Sequence, residues 1–458
     1  MDTLESFERL NPKKPVIFFL IPLAILIGVV LVLVSLYERE RPQISIVSDL
    51  ARIGTTAAAE ISLGDRRSGL QSVVVTLSQG RTSREIFRKR YPRQGLLHRY
   101  GPRKATEKFA INPLPLKLKD GKAVLEISVR DYSFSDWMAG NLTRVRYEVI
   151  LDTRPPLISR EAGSRYIISG GSGAVSFSAN EPLLRYGVEI NDTFFPGIRI
   201  SRQGRPSYGA IFAVPHDTSA INIARIVAFD LAGNRGELPF QLIMRHSRPK
   251  TDRINIPDSF LDRKIPEFTS YYPELKSMTD KVAAFVEINN RIRRENSEKI
   301  REITSRVTPK ILWEGRFLRL PRSSRKASFA EHRTYFYHGK KIDAQVHLGM
   351  DLASVQHAQV PAANNGIVAF AGYLGIYGNA VILDHGAGVF SLYAHLSQIS
   401  VSEGQRVDRG QAIALSGSTG MAGGDHLHFS VLVNGVFVNP LEWWDENWLN
   451  LNISGYLR

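Results

Sequence analysis

The chain has 458 residues, a formal net charge of +15 and no cysteine. That length allows several domains, since one core is usually built from roughly 100–200 residues, and 43% hydrophobic with 22% charged residues excludes a disordered chain. Without thiols there can be no disulfide, thiolate metal site or cysteine nucleophile, so any metal must be held by His, Asp or Glu; the compartment is left open. Basic residues are spread thinly from Arg39 to Lys340 and Lys341, with local clusters such as Arg291, Arg293 and Arg294. This is a solvated basic surface, attracted at most to an anionic polymer or membrane, and no nucleic-acid partner is expected.

Residues 15–37, PVIFFLIPLAILIGVVLVLVSLY, carry no charge. As a helix rising 1.5 Å per residue they span about 30 Å or slightly more, the hydrocarbon thickness of a bilayer, and Pro22 and Gly28 are tolerated there. A cleaved signal would have a shorter apolar run and a small-residue cleavage site, whereas this run passes directly into Glu38-Arg39-Glu40-Arg41. One transmembrane helix after a tail of residues 1–14 is expected. Charge leaves its orientation tied, with Arg9, Lys13 and Lys14 before it and Arg39, Arg41 and Arg52 after it.

Residues 42–247 read as strands. VLEISVRD (124–131) and IARIVAFD (223–230) both show partial alternation with β-branched enrichment. Each is followed by the same turn, Ala139-Gly140-Asn141 or Ala232-Gly233-Asn234, and a returning strand. The repeat predicts two β-sandwich modules, 42–153 and 154–247, whose hairpin resembles that of bacterial immunoglobulin-like domains; neither carries a catalytic constellation, so both are expected to be spacers or docking modules. Residues 248–310 read as a linker over 248–266, with several charges and three prolines, then an amphipathic helix from about Pro273 to Val307. Its stripe is Val282, Phe285, Ile288 and Ile292, resumed by Ile300, Ile303 and Val307. Packing on a neighbouring domain is its expected role, ahead of a rod or partner-binding helix.

Eight of the eleven histidines lie between His332 and His428. His347 and Asp351 are four residues apart. His426 and His428 fall on one face of an apparent strand, HLHFSVLVNG, and His395 ends the extended run VILDHGAGVFSLYAHL. Each piece alone is common by chance; together, within 82 residues and among glycine-rich turns, they are specific. His-Glu-x-x-His is absent, which excludes the helical zincin arrangement.

Residues 311–445 resemble the lysostaphin/LytM-type metallopeptidase family, whose members hydrolyse peptide cross-links of bacterial peptidoglycan. The resemblance rests on His347/Asp351, on Tyr393-His395-Leu396 and on His426/His428. It extends through VPAANNGIVAFAG, YGNAVILDHG, YAHLSQISVSEGQRVDRGQAIALSGSTG and GDHLHFSVLVNG, roughly 100 residues. It implies a mostly antiparallel β domain with its site in a groove, and His347, Asp351 and His428 as ligands of Zn2+ with a fourth position open to water. Such a zinc would bring the water's pKa toward ~7 and polarise the scissile carbonyl. His395 and His426 would move protons and stabilise the oxyanion, in an order the sequence leaves open. His357 and His385 match no ligand position and are assigned to structure or surface.

The expected protein is thus mainly β: one transmembrane helix, two immunoglobulin-like modules, a helical connector, an antiparallel β peptidase domain and a C-terminal tail (446–458). Peptidoglycan stem peptides are the implied substrate. Their location puts the bulk of the chain outside the bacterial inner membrane, in the periplasm, and an envelope partner could bind the β modules or helix. The rival reading is a non-catalytic regulator or scaffold that activates an amidase, because some relatives lack ligands; here all five positions are intact.

Overall fold

A computed structural model describes residues 14–36, 38–94, 100–137, 139–202, 204–245 and 250–457; almost all of the expected N-terminal tail lies outside them. The chain is mainly β and divides into two compact units, residues 1–155 with 231–234, and residues 156–230 with 235–458.

In the first unit, helix α1 (Lys14–Leu36) is 23 residues long, with Pro22 inside, about 35 Å at 1.5 Å per residue. Its side chains are described over Leu20–Leu31, and among the described residues no helix is long and apolar enough to cross a membrane. A three-stranded sheet follows in the order Gln43–Ile46, Ala57–Gly64, Lys104–Ile111. A five-stranded sheet runs Arg52–Ile53, Leu142–Leu151, Gly121–Asp131, Leu70–Gln79, Thr82–Arg90. Alternation along Gly121–Asp131 turns Leu125, Ile127 and Val129 inward against Val73, Val75, Ile61 and Leu63, so the two sheets enclose one core.

The second unit departs from an arrangement of separate modules. Its β module is one continuous hydrogen-bonded path of seven strands, because Thr193–Arg202 changes partner midway. Thr193–Pro196 pairs with Leu183–Ile190, and Gly197–Arg202 pairs with Arg205–Ala213. The module then shares a core with the C-terminal domain: Phe177, Phe212 and Val214 belong to the same buried cluster as Trp313, Phe317 and Trp443. The segment expected to be a C-terminal tail is part of it too. Leu449, Ile453 and Leu457 are buried, and the carbonyl of Asn452 accepts a hydrogen bond from Ser164 Oγ at 3.1 Å.

The expected linker is also structured. Thr251–Asn255 adds a parallel strand beside Glu331–Tyr337, which pairs in turn with Lys340–His347. Helix α2 (Asp258–Tyr271) follows. The expected helix starts at Lys281, not Pro273, where only a 3₁₀ turn forms; Asp280 caps it by accepting from the backbone N–H groups of Val282 and Ala283. It runs as α3 (Lys281–Glu287), a π turn (Ile288–Ile292) and α4 (Arg293–Thr304). Phe268, Ile288, Ile292 and Ile300 are buried against Ile376, in a 3₁₀ turn, and Ile382, Phe390 and Leu392 of the C-terminal sheet. At roughly 1.5–3 kcal/mol for each buried side chain, this fixes the helices to the domain as a packed layer.

The C-terminal sheet has eight antiparallel strands. Its main path is Ser324–Ala327, Met350–Ala353, Leu427–Val433, Val389–Leu396, Asn379–Asp384, Gly366–Tyr373 and Arg406–Val407. Where it meets the second β module, Glu442 accepts from the backbone N–H of Ser172 at 3.0 Å and from its Oγ at 3.1 Å. Burial pushes this carboxyl up to about 8, against the lowering effect of those bonds. A raised carboxyl binds its proton in the folded state first, so the stability it contributes is full below about pH 4.5 and is lost as pH rises through about 8. Glu442→Gln, which keeps the acceptor oxygen without the charge, is therefore expected to be near neutral at pH 5 and stabilising at pH 8, on the order of 2 kcal/mol, in denaturant unfolding at the two pH values.

Candidate active site

Three donor atoms converge on one face of the C-terminal sheet. His347 ends the strand Lys340–His347, and the chain turns through Leu348 and Gly349 into Met350–Ala353, delivering Asp351. Asp351 lies directly opposite His428 in the antiparallel register, so the two side chains share a face. His347 Nε2 is 2.9 Å from Asp351 Oδ1 and 2.9 Å from His428 Nδ1, and His428 Nδ1 is 3.0 Å from Asp351 Oδ1. All three residues are buried.

The hydrogen bonds behind these atoms fix both tautomers. His347 Nδ1 is 2.9 Å from the Ser328 carbonyl, to which it can only donate, so Nε2 carries a bare lone pair. Ser430 Oγ donates its one proton to the Leu348 carbonyl at 2.8 Å, and therefore accepts from His428 Nε2 at 3.0 Å, leaving His428 Nδ1 bare. Two imidazole lone pairs and a carboxylate oxygen thus face one another at about hydrogen-bond distance with no proton assigned between them. A cation resolves that repulsion. Ligands about 2.0–2.1 Å from a tetrahedral zinc are about 3.3 Å apart, close to the edges of this triangle, and the residues fit such an ion. Burial also pushes His428 down to about 4, so it is neutral at pH 7, as a ligand must be.

Arg333 donates from Nη2 to Asp351 Oδ2 at 2.8 Å and so fixes the other carboxylate oxygen. Burial opposes the Asp351 charge, but the imidazoles of His347, His426 and His428 around it outweigh burial and hold the carboxyl well below the usual range. Gly349 is required by proximity: a Cβ there would lie 2.5 Å from His428 Cε1 and Nε2, and 2.6 Å from Ser430 Oγ.

His395 and His426 sit beside the triangle, their ring centroids 4.9 Å apart. Ala394 is paired with His428, so strict alternation would send His395 to the opposite face. A register shift between Asn379 and Val381 on the adjoining strand, and a left-handed φ of 62° at His395 itself, bring it back. His395 Nδ1 donates to the Thr419 carbonyl at 2.8 Å, and His426 Nδ1 to the Gly424 carbonyl at 2.9 Å, leaving each Nε2 as the nitrogen free to exchange a proton. His426 lies outside the strand expected to hold it, in an isolated bridge to Gly417, because Leu427–Val433 starts one residue later. Burial, with His426 and His428 nearby, lowers His395; at His426 the Asp351 carboxylate outweighs burial and raises it.

His385 and His357 lie away from this cluster. His385 is buried and bonded to the Asn365 carbonyl and Ser391 Oγ, each at 2.7 Å, and Ser391 Oγ continues to the Tyr393 hydroxyl at 2.9 Å. His357 is exposed, 3.1 Å from Ser397 Oγ. The site opens into a cavity of about 390 Å³, whose other wall is the connector: Ile256, Phe260 and Arg263 from around α2, Phe285 from α3 and Arg293 from α4. Lys264 and Glu267 of α2 hold the adjoining loop, Lys264 Nζ donating to the Ser418 carbonyl at 2.5 Å and the Gly420 N–H to Glu267 Oε1 at 2.5 Å. This loop carries the Thr419 carbonyl that orients His395.

Residues 345–440 match Peptidase family M23; the C-terminal domain is an M23 peptidase domain. Among curated proteins, the chain is 45% identical over 97 residues to the DD-carboxypeptidase/endopeptidase Mpg of Neisseria meningitidis serogroup B, covering 21% of this chain and 22% of that protein. It is 35% identical over 111 residues to the murein hydrolase activator EnvC of Escherichia coli, covering 24% and 26%. The matched stretch thus spans about a quarter or less of these relatives. Among solved structures, the catalytic domain of the antimicrobial peptidase lysostaphin from Staphylococcus simulans is 27% identical, covering 29% of this chain and 98% of that one with a TM-score of 0.25.

The tautomer lock gives a direct test. Ser430→Ala removes the acceptor that keeps His428 Nδ1 bare and is expected to weaken zinc binding about 10–100-fold, read by competition with a chromophoric chelator. Gly349→Ala forces His428 aside, so it is expected to abolish binding while the near-ultraviolet circular dichroism of the fold is retained.

Proposed function

We propose that this chain is a membrane-anchored zinc metalloendopeptidase that hydrolyses peptide cross-links of bacterial peptidoglycan. The observation that carries the reading is the convergence of His347 Nε2, Asp351 Oδ1 and His428 Nδ1 at 2.9–3.0 Å, with both imidazole tautomers set for a cation, inside an M23 domain. A zinc ion bound there supplies Lewis acidity, making water a nucleophile near neutral pH and polarising the scissile carbonyl. The chain's own residues do the rest. His395 and His426, each anchored through Nδ1–H to a backbone carbonyl, take and return protons through Nε2 and donate to the developing oxyanion. Phe260, Tyr335, Tyr377 and Met421 line the cavity and exclude water, while Arg263 and Arg293 offer positive charge to the carboxylates of a stem peptide.

Peptidoglycan lies outside the cytoplasmic membrane, so this chemistry breaks the tie in the charges around residues 15–37. The reading is a single-pass inner-membrane protein with its bulk in the periplasm, α1 as its anchor and the β modules holding the peptidase away from the bilayer. In the first module the strand order, with first, second and fifth major strands in one sheet and the others in the second, supports an immunoglobulin-like spacer. The net charge of +15 suits retention on an anionic envelope, in which an envelope protein could dock on a β module.

A second reading is a regulator that uses the groove to bind an amidase or peptide. It is favoured by the connector helices forming one wall of the cavity and by the similarity to an activator. One experiment separates the two. Detergent-purified full-length protein is analysed for metal by mass spectrometry, then incubated with sacculi and the released muropeptides are identified. Peptidase chemistry requires bound zinc, release of cleaved cross-links, loss of both with EDTA, and at least a 10³-fold fall in rate for His347→Ala. Bound zinc with undigested sacculi, and a His347→Ala strain indistinguishable from wild type, would overturn catalysis.

A further inference from the structure

The Asp…Ala-Gly-Asn motif of the first module has a role beyond its turn. Gly140 has φ +86°, and a Cβ there would lie 2.1 Å from the Asp131 carbonyl. The turn folds Asn141 back onto Asp131, its N–H donating to Asp131 Oδ1 at 2.7 Å and its Nδ2 to Oδ2 at 2.9 Å. Asn141 Nδ2 also reaches the carbonyls of Glu38, at 2.9 Å, and Glu40, at 3.0 Å. The motif therefore ties the segment that follows α1 to the end of the strand Gly121–Asp131.

That tie gathers three acids. One ligand atom each from Glu38, Asp65 and Asp131 lies within 4.8 Å of the others, and the residues are only 3%, 5% and 0% exposed. Two of their oxygens, Glu38 Oε1 and Asp65 Oδ2, are buried without any hydrogen-bond partner. The other oxygen of each is occupied: Glu38 Oε2 accepts from the Ser68 N–H at 3.0 Å, and Asp65 Oδ1 from the N–H groups of Gly69 at 2.6 Å and Arg67 at 3.2 Å. Burial raises both carboxyls, and the charges bearing on them are negative, Asp65 and Asp131 on Glu38 and Asp131 and Glu40 on Asp65. An unpartnered oxygen on each of two crowded, dry carboxylates is costly unless a cation joins them.

We propose that Glu38, Asp65 and Asp131 bind a calcium ion that fastens the segment leaving α1 to the first β module. The donors are all hard oxygens, which disfavours zinc. Between the alkaline earths, magnesium demands near-ideal octahedral geometry and gives up its water reluctantly, whereas calcium accepts irregular sets of carboxylate and carbonyl oxygens, so a dry carboxylate cluster favours calcium. Bound there, the ion neutralises the acids and holds the junction between anchor and module in one arrangement. The same Asp and Ala-Gly-Asn recur in the sequence at Asp230 and Ala232-Gly233-Asn234, so a second ion per chain is compatible, and the test must count the difference.

Full-length protein in detergent is stripped with EGTA and titrated with CaCl2 by equilibrium dialysis of radioactive calcium and by thermal unfolding. The expected half-effect lies at about 0.1–1 mM, the range of extracellular calcium modules, with a rise of several degrees in the first unfolding transition. Glu38→Gln/Asp65→Asn, which removes the repulsion without changing shape, is expected to bind one calcium fewer per chain. Metal-free, it should unfold no earlier than metal-free wild type, and it should digest sacculi at the wild-type rate. Equal calcium stoichiometry in variant and wild type overturns the proposal, as does an equal response to MgCl2. So does a wild type that ignores calcium but is stabilised by acid, the behaviour of carboxyls sharing a proton instead of an ion.

Discussion

Two imidazole lone pairs and a carboxylate oxygen repel one another when held about 3 Å apart away from water, and the peptidase domain is arranged to hold them there. The antiparallel pairing of Asp351 with His428 provides two donors at no conformational cost, because cross-strand neighbours already share a face. The third must arrive from another sheet, and the turn through Gly349 brings His347 in only because no side chain stands between that turn and the His428 ring. Behind each ring a single hydrogen bond decides which nitrogen is bare. In each case the partner is itself fixed, a backbone carbonyl for His347 and a hydroxyl committed to the Leu348 carbonyl for His428. The metal-binding tendency is therefore built into the folded backbone and does not wait for the metal to order it.

The parts of this arrangement that depend on local spacing were legible in the sequence. His-x-x-x-Asp and His-x-His bring donors together through a short turn and a strand period of two, and five site residues were assigned on that basis and on the family resemblance. Other parts have no local signature. His395 obeys a bulge and a left-handed φ, which alternation cannot anticipate. Arg333 reaches Asp351 from a strand in a different sheet, and Ser430 and Gly349 matter only through what stands beside them in space. The connector illustrates a different failure. Its prolines read as a linker, yet Pro266 lies on the exposed side of α2, where Asp262, whose carbonyl a proline cannot bond, is also exposed. The apolar stripe was correctly seen from Val282 to Ile303, but Pro273 opens a separate 3₁₀ turn, the true start is set by the Asp280 cap, and Val307 lies beyond the helix end at Thr304.

The repeated β modules were recognised from one hairpin, and the repeat hid a difference between them. Alternating strands indicate a buried face but not what buries it. In the first module the two sheets bury each other. In the second, Phe212 and Val214 belong to one core with Trp313, Phe317 and Trp443, and the C-terminal helical turns close over it. The second module is thus part of the peptidase body, which explains why a buried acid, Glu442, can serve as the joint between them. A joint of that kind is stiff, since pulling it apart would expose the apolar cluster to water.

Stiffness on that side bears on how a polymer reaches the donor atoms. The cavity is walled by α2, α3 and α4, and these helices are held by buried Phe268, Ile288, Ile292 and Ile300. With roughly 1.5–3 kcal/mol for each such side chain, swinging the layer away would cost more than a few contacts with a peptide return. A peptide entering there would therefore pass between the helices and the loop 418–424. Lys264 and Glu267 clamp this same loop through the carbonyl of Ser418 and the N–H of Gly420, and between those two anchors lies the Thr419 carbonyl that aims His395. The segment that borders the opening is therefore also the one that orients His395, so the margin of the cavity and the aim of the imidazole are set by the same two anchors on α2.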